Sequence, residues 1–335
     1  MFFAKVCVLE DLSDRSERKM QVVVPAHQAE KTLPLCLTAL ISCGFANDEI
    51  LIVDDGSTDA TGRIAEESGV RMIRNETPQR PARARNRGAE ASECDVLVFV
   101  DSDVVVQPDF RDLLEHYFKD PDLDAVIGSY DAEPGGPVVS AYRNLLHHVT
   151  HQASAGLTQT FWSGIGAIRR TAFEKAGGFD PAWEDIEDVE LGLRVTAAGG
   201  TILLDPHMQG KHLKIWTLRS MFKTDLFGRA VPWSRLLVSK RLQLGALNTA
   251  WPHRVSVAAI LTGLIGLLIA LLDARAMWIA ALAMLVFVVA NVPLLLKLSQ
   301  LVSPVFAVRA IPYHMMHYVA ALLGYLRVQL LERRT

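Results

Sequence analysis

The chain predicts an α/β domain with a mostly parallel sheet, followed by a C-terminal helical segment suited to a membrane. Three observations carry that expectation. Strand-like and helix-like stretches alternate from residue 20 to residue 100, the pattern of repeated βα units. Several apolar strands run straight into carboxylates, at the sheet end where such folds bind ligands. Hydrophobicity is also uneven. Hydrophobic residues make up 50% of the 335 positions, yet 20–210 is an ordinary soluble mixture and 255–335 is mostly apolar.

The elements follow in order. Gln21–Val24 is a β-branched run broken by Pro25, and Lys31–Cys43 spaces its leucines as a helix that Gly44 stops. Glu49–Val53 is a second strand ending in Asp54-Asp55-Gly56-Ser57. Thr58–Ser68 reads as a helix, Val70–Ile73 as a short strand, Arg83–Ser92 as a helix and Asp95–Val100 as a strand. Further on come the small-residue turn Ser163–Gly166, a helix from Thr171 into Gly177-Gly178, and the acidic cluster 184–190 leading into a helix over Leu191–Ala198. Met20 directly precedes the first strand, so 1–19 reads as a poorly ordered extension and Met20 as a candidate start. Domain limits are expected at 20–215, 216–254 and 255–335.

Composition excludes some partners. A net charge of −3 gives no bulk electrostatic argument for nucleic acid. Cys7, Cys36, Cys43 and Cys94 show neither metal-ligand spacing nor a disulfide framework, which suits a reducing cytoplasmic face. No secretory signal opens the chain.

Val255–Leu272 carries no charge and as a helix covers about 27 Å at 1.5 Å per residue, enough for a bilayer core. Ala276–Leu296 is equally uncharged, and Asp273-Ala274-Arg275 joins the two as a tight hairpin. A third stretch, Ala310–Leu326, contains Pro312, His314 and His317 and is weaker. Arg235, Lys240, Arg241 and Arg254 before the hairpin, with Lys297 and Arg309 after it, place both flanks in the cytoplasm. A full third span would put Arg327, Arg333 and Arg334 outside, against that rule. Three spans is nonetheless the expectation. Residues 216–247 mix aromatic, leucine and basic side chains as interfacial helices do.

The densest chemistry lies in Leu97-Val98-Phe99-Val100-Asp101-Ser102-Asp103. On a strand, positions i and i+2 point the same way, so Asp101 and Asp103 would converge. Two such carboxylates repel unless they share a proton or hold a cation. Mg²⁺ or Mn²⁺ bridging them to ligand phosphates is one reading; turn-starting acidic residues after a strand are the other. Asp54 and Asp55 likewise offer acceptors to a nucleotide, or capping groups to the next helix. Asp188, in Glu187-Asp188-Val189-Glu190, is the candidate general base, since a neutral alcohol gains nucleophilicity when a carboxylate takes its proton.

Taken together, Pro25-Ala26-His27-Gln28-Ala29-Glu30, Asp54-Asp55-Gly56-Ser57-Thr58-Asp59, Ala84-Arg85-Asn86, Asp101-Ser102-Asp103 and Glu187–Arg194 resemble, in this order, the family-2 glycosyltransferases. One departure is Gln28, where that family usually has Asn beside an aromatic, here His27. The resemblance implies the GT-A fold (Rossmann-like) over residues 20–215, a nucleotide-diphosphate sugar as donor with UDP-sugar favoured, and inversion at the anomeric carbon. It implies donor contacts from Pro25, Ala26, His27, Glu30, Asp54, Asp55, Arg85, Asn86, Asp101, Ser102, Asp103 and Gly164. It also implies a divalent cation, Mn²⁺ or Mg²⁺, on Asp103 and Asp101 with His212 as a further ligand, and catalysis by Asp188 with Glu187. The apolar segment points to a lipid or lipid-linked acceptor at the inner (plasma) membrane, with the catalytic domain cytoplasmic. A carboxylate base favours a hydroxyl acceptor; a polyprenyl-phosphate acceptor, already anionic at neutral pH, is the alternative. A transporter is disfavoured by the scarcity of intramembrane charge, a nucleotidyltransferase by the lack of a glycine-rich basic loop at Pro25–Lys31, and a non-catalytic sensor by Asp188.

Overall fold

The computed structural model describes residues 18–133, 135–183, 185–239 and 251–332. Most of the 1–19 extension, together with Glu184, Lys240, Arg241, Arg333 and Arg334, lies outside the described residues.

The N-terminal half is built as β1 (Met20–Ala26), α1 (Leu33–Ser42), β2 (Ile50–Asp54), α2 (Thr61–Glu67), β3 (Arg71–Arg74), α3 (Pro81–Glu90) and β4 (Val96–Val100). The remainder of the domain is β5 (Val104–Val106), α4 (Phe110–Tyr117), β6 (Ala125–Tyr130), α5 (Val138–Ala153), β7 (Gly156–Thr158), β8 (Ile165–Arg169), α6 (Arg170–Ala176), α7 (Glu187–Ala197) and β9 (Ile202–His212). Local chemistry explains where helices start. Pro34 occupies the first turn of α1, where a missing N–H goes unneeded. The Asp59 carboxylate accepts from Thr61 N at 3.0 Å and from Thr61 Oγ1 at 2.5 Å. The helix therefore opens at Thr61, three positions later than expected.

Strand order is β3-β2-β1-β4-β8-β6-β9-β5, with β7 on β9. The half β3-β2-β1-β4 is parallel throughout. Beyond β4 the sheet is mixed: β8 runs antiparallel to β4 and β6, while β9 is parallel to β6 and antiparallel to β5. Outside the βα half, the expected parallel character survives only in the β6–β9 pair among the described strands. Every residue of β2 and β4 is buried, as strands covered on both faces must be. Val22, Val24, Val98 and Val100 pack on one face with Leu33, Leu40 and Phe110. Val23, Leu97 and Phe99 pack on the other with Phe161, Phe179 and Leu191.

The C-terminal part comprises α8 (Leu218–Lys223), a π-helical segment (Thr224–Ala230), α9 (Val231–Val238), α10 (Trp251–Ala270), α11 (Met277–Ala290), α12 (Val292–Leu301) and α13 (Pro304–Arg327). Only α10 is by itself long and apolar enough to cross a membrane among the described residues. The second candidate is not one straight helix: α11 and α12 meet at 59°. Pro293 removes a backbone donor and restricts the residue before it. Asn291 holds the break, donating to Phe287 O at 2.8 Å and Ser256 Oγ at 2.9 Å. Helix α13 packs Phe306, Ala307 and Ala310 against Val139, Tyr142 and Leu145 of α5.

Candidate active site

Arg85 sits at the centre. It is buried on α3, and its guanidinium donates to Asp101 Oδ1 and Glu187 Oε1, each at 2.7 Å. Burial alone would weaken its charge, but Asp101, Glu187 and Asp188 together outweigh that and hold its proton more tightly. Three of the sequence motifs therefore meet on one cation.

Asp188, in the first turn of α7, is partly exposed. Its Oδ2 accepts from Ser163 N at 3.1 Å and Ser163 Oγ at 3.2 Å, and its Oδ1 from Val189 N at 2.7 Å. Burial raises its pKa above the usual carboxylate range, against the opposing pull of Arg85 and these N–H groups. Glu187 is buried, and desolvation pushes its carboxyl up to about 7, with Asp188 adding to the rise and Arg85 opposing it. Its Oε2 has no hydrogen-bond partner among the described residues. Glu187 also lines a 220 Å³ pocket with Gln79, Arg80, Arg83, Pro181 and Asp185.

Asp101 and Asp103 do not extend the strand together. The chain leaves β4 at Val100 and turns, with Val104 N donating to Asp101 O at 3.0 Å, so alternation no longer governs where the side chains go. Asp101 goes to Arg85; Asp103 Oδ2 lies 3.4 Å from His212 Nε2. Strand pairing produces that second contact, because Val104 of β5 is in register with His212 of β9. Burial would raise the Asp103 pKa, but His212, Lys214 and a backbone N–H together outweigh it, leaving it lowered. Ser102 is partly exposed in the turn.

The other expected donor residues divide into two groups. Pro25, His27 and Glu30 reach the surface at the end of β1, where His27 Nδ1 donates to Asp55 O at 2.8 Å and Glu30 accepts from Ala60 N at 3.2 Å. Ala26 is buried, its carbonyl accepting from Asp55 N at 2.7 Å. Gln28 takes a left-handed φ of 51° and accepts from Thr58 N and Asp59 N at 3.1 and 3.2 Å. Asp54 lies fully buried under the turn, accepting from Ser57 N at 3.0 Å. Asp55 accepts from Asn75 Nδ2 (2.6 Å), Gln79 N (2.8 Å) and Arg80 N (2.8 Å), so it ties down the 75–80 loop. Gly56 fits beneath that loop with φ 67°; a Cβ there would meet Pro78 N at 2.8 Å. Asn86 clamps the backbone of Phe179 from both sides, at 2.7 and 2.9 Å. Gly164 passes under the Trp162 indole and its carbonyl accepts from Asp101 N at 3.2 Å.

Sequence reasoning did not single out Asn144 or Tyr130. Asn144 Oδ1 accepts from His212 Nδ1 at 2.9 Å, and the Tyr130 ring stacks on the same imidazole at 4.3 Å and 6°. The one available signal was a polar residue inside a helix crowded with His147, His148 and His151. Among the described residues no three His, Cys, Asp or Glu side chains converge tightly enough to hold a metal by themselves. A carboxylate and an imidazole do meet, and they suit Mn²⁺ or Mg²⁺ shared with ligand phosphates and water.

A parallel βα half with carboxylates at its strand ends, and the Arg85–Asp101–Glu187 triad at the start of α7, mark this end of the sheet as the candidate site. The family model for glycosyl transferase family 2 matches residues 21–177, and the chain carries a domain of that family. A curated relative is the glycosyltransferase GlyG of Streptococcus pneumoniae, 33% identical over 116 residues, 33% of this chain and 38% of that protein. Another is the O-antigen chain rhamnosyltransferase RfbN of Salmonella typhimurium, 25% identical over 232 residues, 64% of this chain and 74% of that one. The chain thus spans little more than a third of GlyG. The mannosyltransferase PcManGT of Pyrobaculum calidifontis, solved with GDP-Man and Mn²⁺, superposes with a TM-score of 0.60 at 16% identity, over 92% of this chain and 87% of that one. That likeness is one of fold, and it confirms the GT-A architecture.

Proposed function

We propose that this protein is a membrane-anchored, inverting glycosyltransferase that moves a sugar from a nucleotide-diphosphate donor to a hydroxyl of a lipid-linked acceptor. The observation that carries the reading is Asp188: a partly exposed carboxylate with raised pKa, held by Ser163 and adjoining the Arg85–Asp101–Glu187 cluster. A base with a pKa lifted towards neutrality is better matched to removing a hydroxyl proton. Asp188 accepts that proton as the acceptor oxygen attacks the anomeric carbon and the nucleoside diphosphate leaves from the opposite face.

Asp103 and His212 are the residues to hold a divalent cation. Bound there, the cation would supply Lewis-acid stabilisation of charge gathering on the leaving diphosphate. Arg85 bridges Asp101 and Glu187 and fixes the two side chains in place. Asp54 and Asp55 serve the donor site by shaping it: they hold the 54–57 turn and the 75–80 loop, while His27 and Glu30 offer exposed polar atoms beside them.

The membrane reading rests on α10 and α11. Leu268, Leu271, Leu272, Trp278 and Leu282 on this hairpin are all more than half exposed, an apolar surface larger than a soluble domain leaves in water. The hairpin crosses the bilayer, and α13, docked on α5, stays on the catalytic side. Two crossings then leave Arg254, Lys297, Arg309 and Arg327 on one face, in keeping with the positive-inside rule.

Calorimetric titration of the detergent-purified chain with UDP, GDP, dTDP and CDP, each with and without Mn²⁺, tests the donor half. Metal-dependent preference for one nucleotide, reduced in Asp103→Ala, supports it; no binding by folded protein would overturn it. Product analysis with a lipid-linked sugar and with a polyprenyl phosphate separates the hydroxyl acceptor from the phosphate one.

A further inference from the structure

We infer that Asn144 is the positioning residue that fixes the ring tautomer of His212 and turns its Nε2 lone pair towards Asp103; its consequence for a cation rests on the reading of Asp103 and His212 given above. The amide orientation follows from two contacts taken together. Asn144 Nδ2 lies 3.3 Å from the His212 backbone carbonyl, and a carbonyl only accepts. The amide nitrogen must therefore face the carbonyl, which leaves Oδ1 facing His212 Nδ1 at 2.9 Å. An amide oxygen also only accepts, so Nδ1 carries a proton, and in the neutral ring the lone pair is then on Nε2, 3.4 Å from Asp103 Oδ2. Were the proton on Nε2, the imidazole would offer Asp103 a hydrogen bond and a cation nothing.

The rest of the surroundings hold this arrangement still. Tyr130 stacks flat on the imidazole and prevents it from swinging. Asparagine is a poor choice for the middle of a helix, yet Asn144 is buried there on α5. Its two preceding neighbours are each tied to a different C-terminal element. Tyr142 Oη pairs with His314 Nδ1 of α13 at 2.8 Å, and Arg143 Nη2 lies 2.8 Å from Asp225 Oδ1 of the π-helical segment. Residues 142–144 thus present one turn of helix whose position is set from the membrane side and whose last side chain aims the imidazole.

The test uses the full chain in detergent. Nitrogen-15 histidine spectra, with His212→Gln to assign the resonance, read the tautomer directly and need no metal. The Nδ1–H form is expected in the wild type; an Nε2–H form overturns the inference. Titration with Mn²⁺ alone, followed by electron paramagnetic resonance, is expected to show about 10–100-fold weaker binding in Asn144→Leu, the usual effect of losing a ligand's orienting partner. Asn144→Asp keeps an acceptor and is expected to retain wild-type affinity, which a purely structural role would not explain. In a His212→Ala background Asn144→Leu should add nothing. Equal Mn²⁺ binding by wild type and Asn144→Leu overturns the inference. Absence of Mn²⁺ binding in the wild type removes the cation reading instead, and the tautomer spectrum still decides the role of Asn144.

Discussion

Arg85 and Glu187 meet at 2.7 Å across 102 positions of sequence, both almost fully removed from solvent. The pair joins α3 to the first turn of α7, so it sets the distance between the helix that follows β3 and the helix that carries Asp188. Removing one partner of a buried pair leaves an uncompensated charge, typically a loss of about 3–5 kcal/mol. Arg85→Ala, which also abandons Asp101, is expected to reach that range in denaturant unfolding. Glu187→Ala added to it should recover part of the loss. An Arg85→Ala variant as stable as the wild type would mean the cluster does not hold the helices together.

Glu187 gives the protein a pH signature of its own. Its pKa rises from 4.5 in the unfolded chain to about 7 in the fold. Between those values the folded state binds more protons than the unfolded one, so this group's contribution falls as pH rises through the window. The wild type should lose stability relative to Glu187→Gln between pH 4.5 and about 7, measured as the difference in unfolding midpoint at each pH. A difference independent of pH would show that Glu187 is ionised throughout.

Gly192 is a place where helix propensity misleads. Alanine normally gains about 1 kcal/mol over glycine inside a helix, and Gly192 lies within α7. A Cβ there would run into the backbone of Thr160 and Phe161, which cannot yield as a side chain tip can. Gly192→Ala should therefore lower the melting temperature by several degrees and disturb Asp188 through the shift of α7. A melting temperature at or above wild type would show that the 160–161 backbone gives way.

Much of the parallel half was legible because each signal there is local. Val22–Val24, Ile50–Val53 and Val96–Val100 are β-branched runs bounded by turn residues, and every one became a buried strand. The site was legible as a set of strand-end and helix-start carboxylates, but their partners were not. Asp101 and Asp103 were expected to converge because strand alternation was carried past Val100, where the chain turns. Whether Asp55 would face a ligand or its own 75–80 loop depends on hydrogen bonds across 20–25 positions. The Asp103–His212 contact depends on β9 pairing with β5, which no local pattern encodes. The same holds for α13: its residues read as a weak span, whereas His314 meets Tyr142 of α5 and His317 meets Asp225 of the π-helical segment.

Asp225 is the buried anion that joins the C-terminal helices to the domain. It is 2% exposed, with Arg143 at 2.8 Å and His317 at 3.2 Å. Asp225→Ala leaves Arg143 buried without its carboxylate, again at a typical cost of about 3–5 kcal/mol. Limited proteolysis should then cut more readily between the domain and α13, while the parallel half stays resistant. If cleavage and unfolding match the wild type, the docking of α13 rests on its apolar contacts with α5 alone.

Asp188 carries the most direct prediction for catalysis. As a base it works only when deprotonated, and burial raises its pKa above the ordinary 3.8. The acidic limb of the kcat/KM profile should therefore lie above the usual carboxylate range, with activity lost as pH falls through it. Asp188→Asn keeps the acceptor oxygen for Ser163 but removes the base, and about 10²–10⁴-fold of turnover should go with it while nucleotide affinity is unchanged. Glu187→Gln acts on the same limb from a distance. Wherever Glu187 is ionised it sets a negative charge beside Asp188 and shares the Arg85 field, so its removal lowers the Asp188 pKa over that range. The acidic limb should shift to lower pH in Glu187→Gln and disappear in Asp188→Asn. A limb that stays in place in both variants would assign the titration, and with it the base, to another residue.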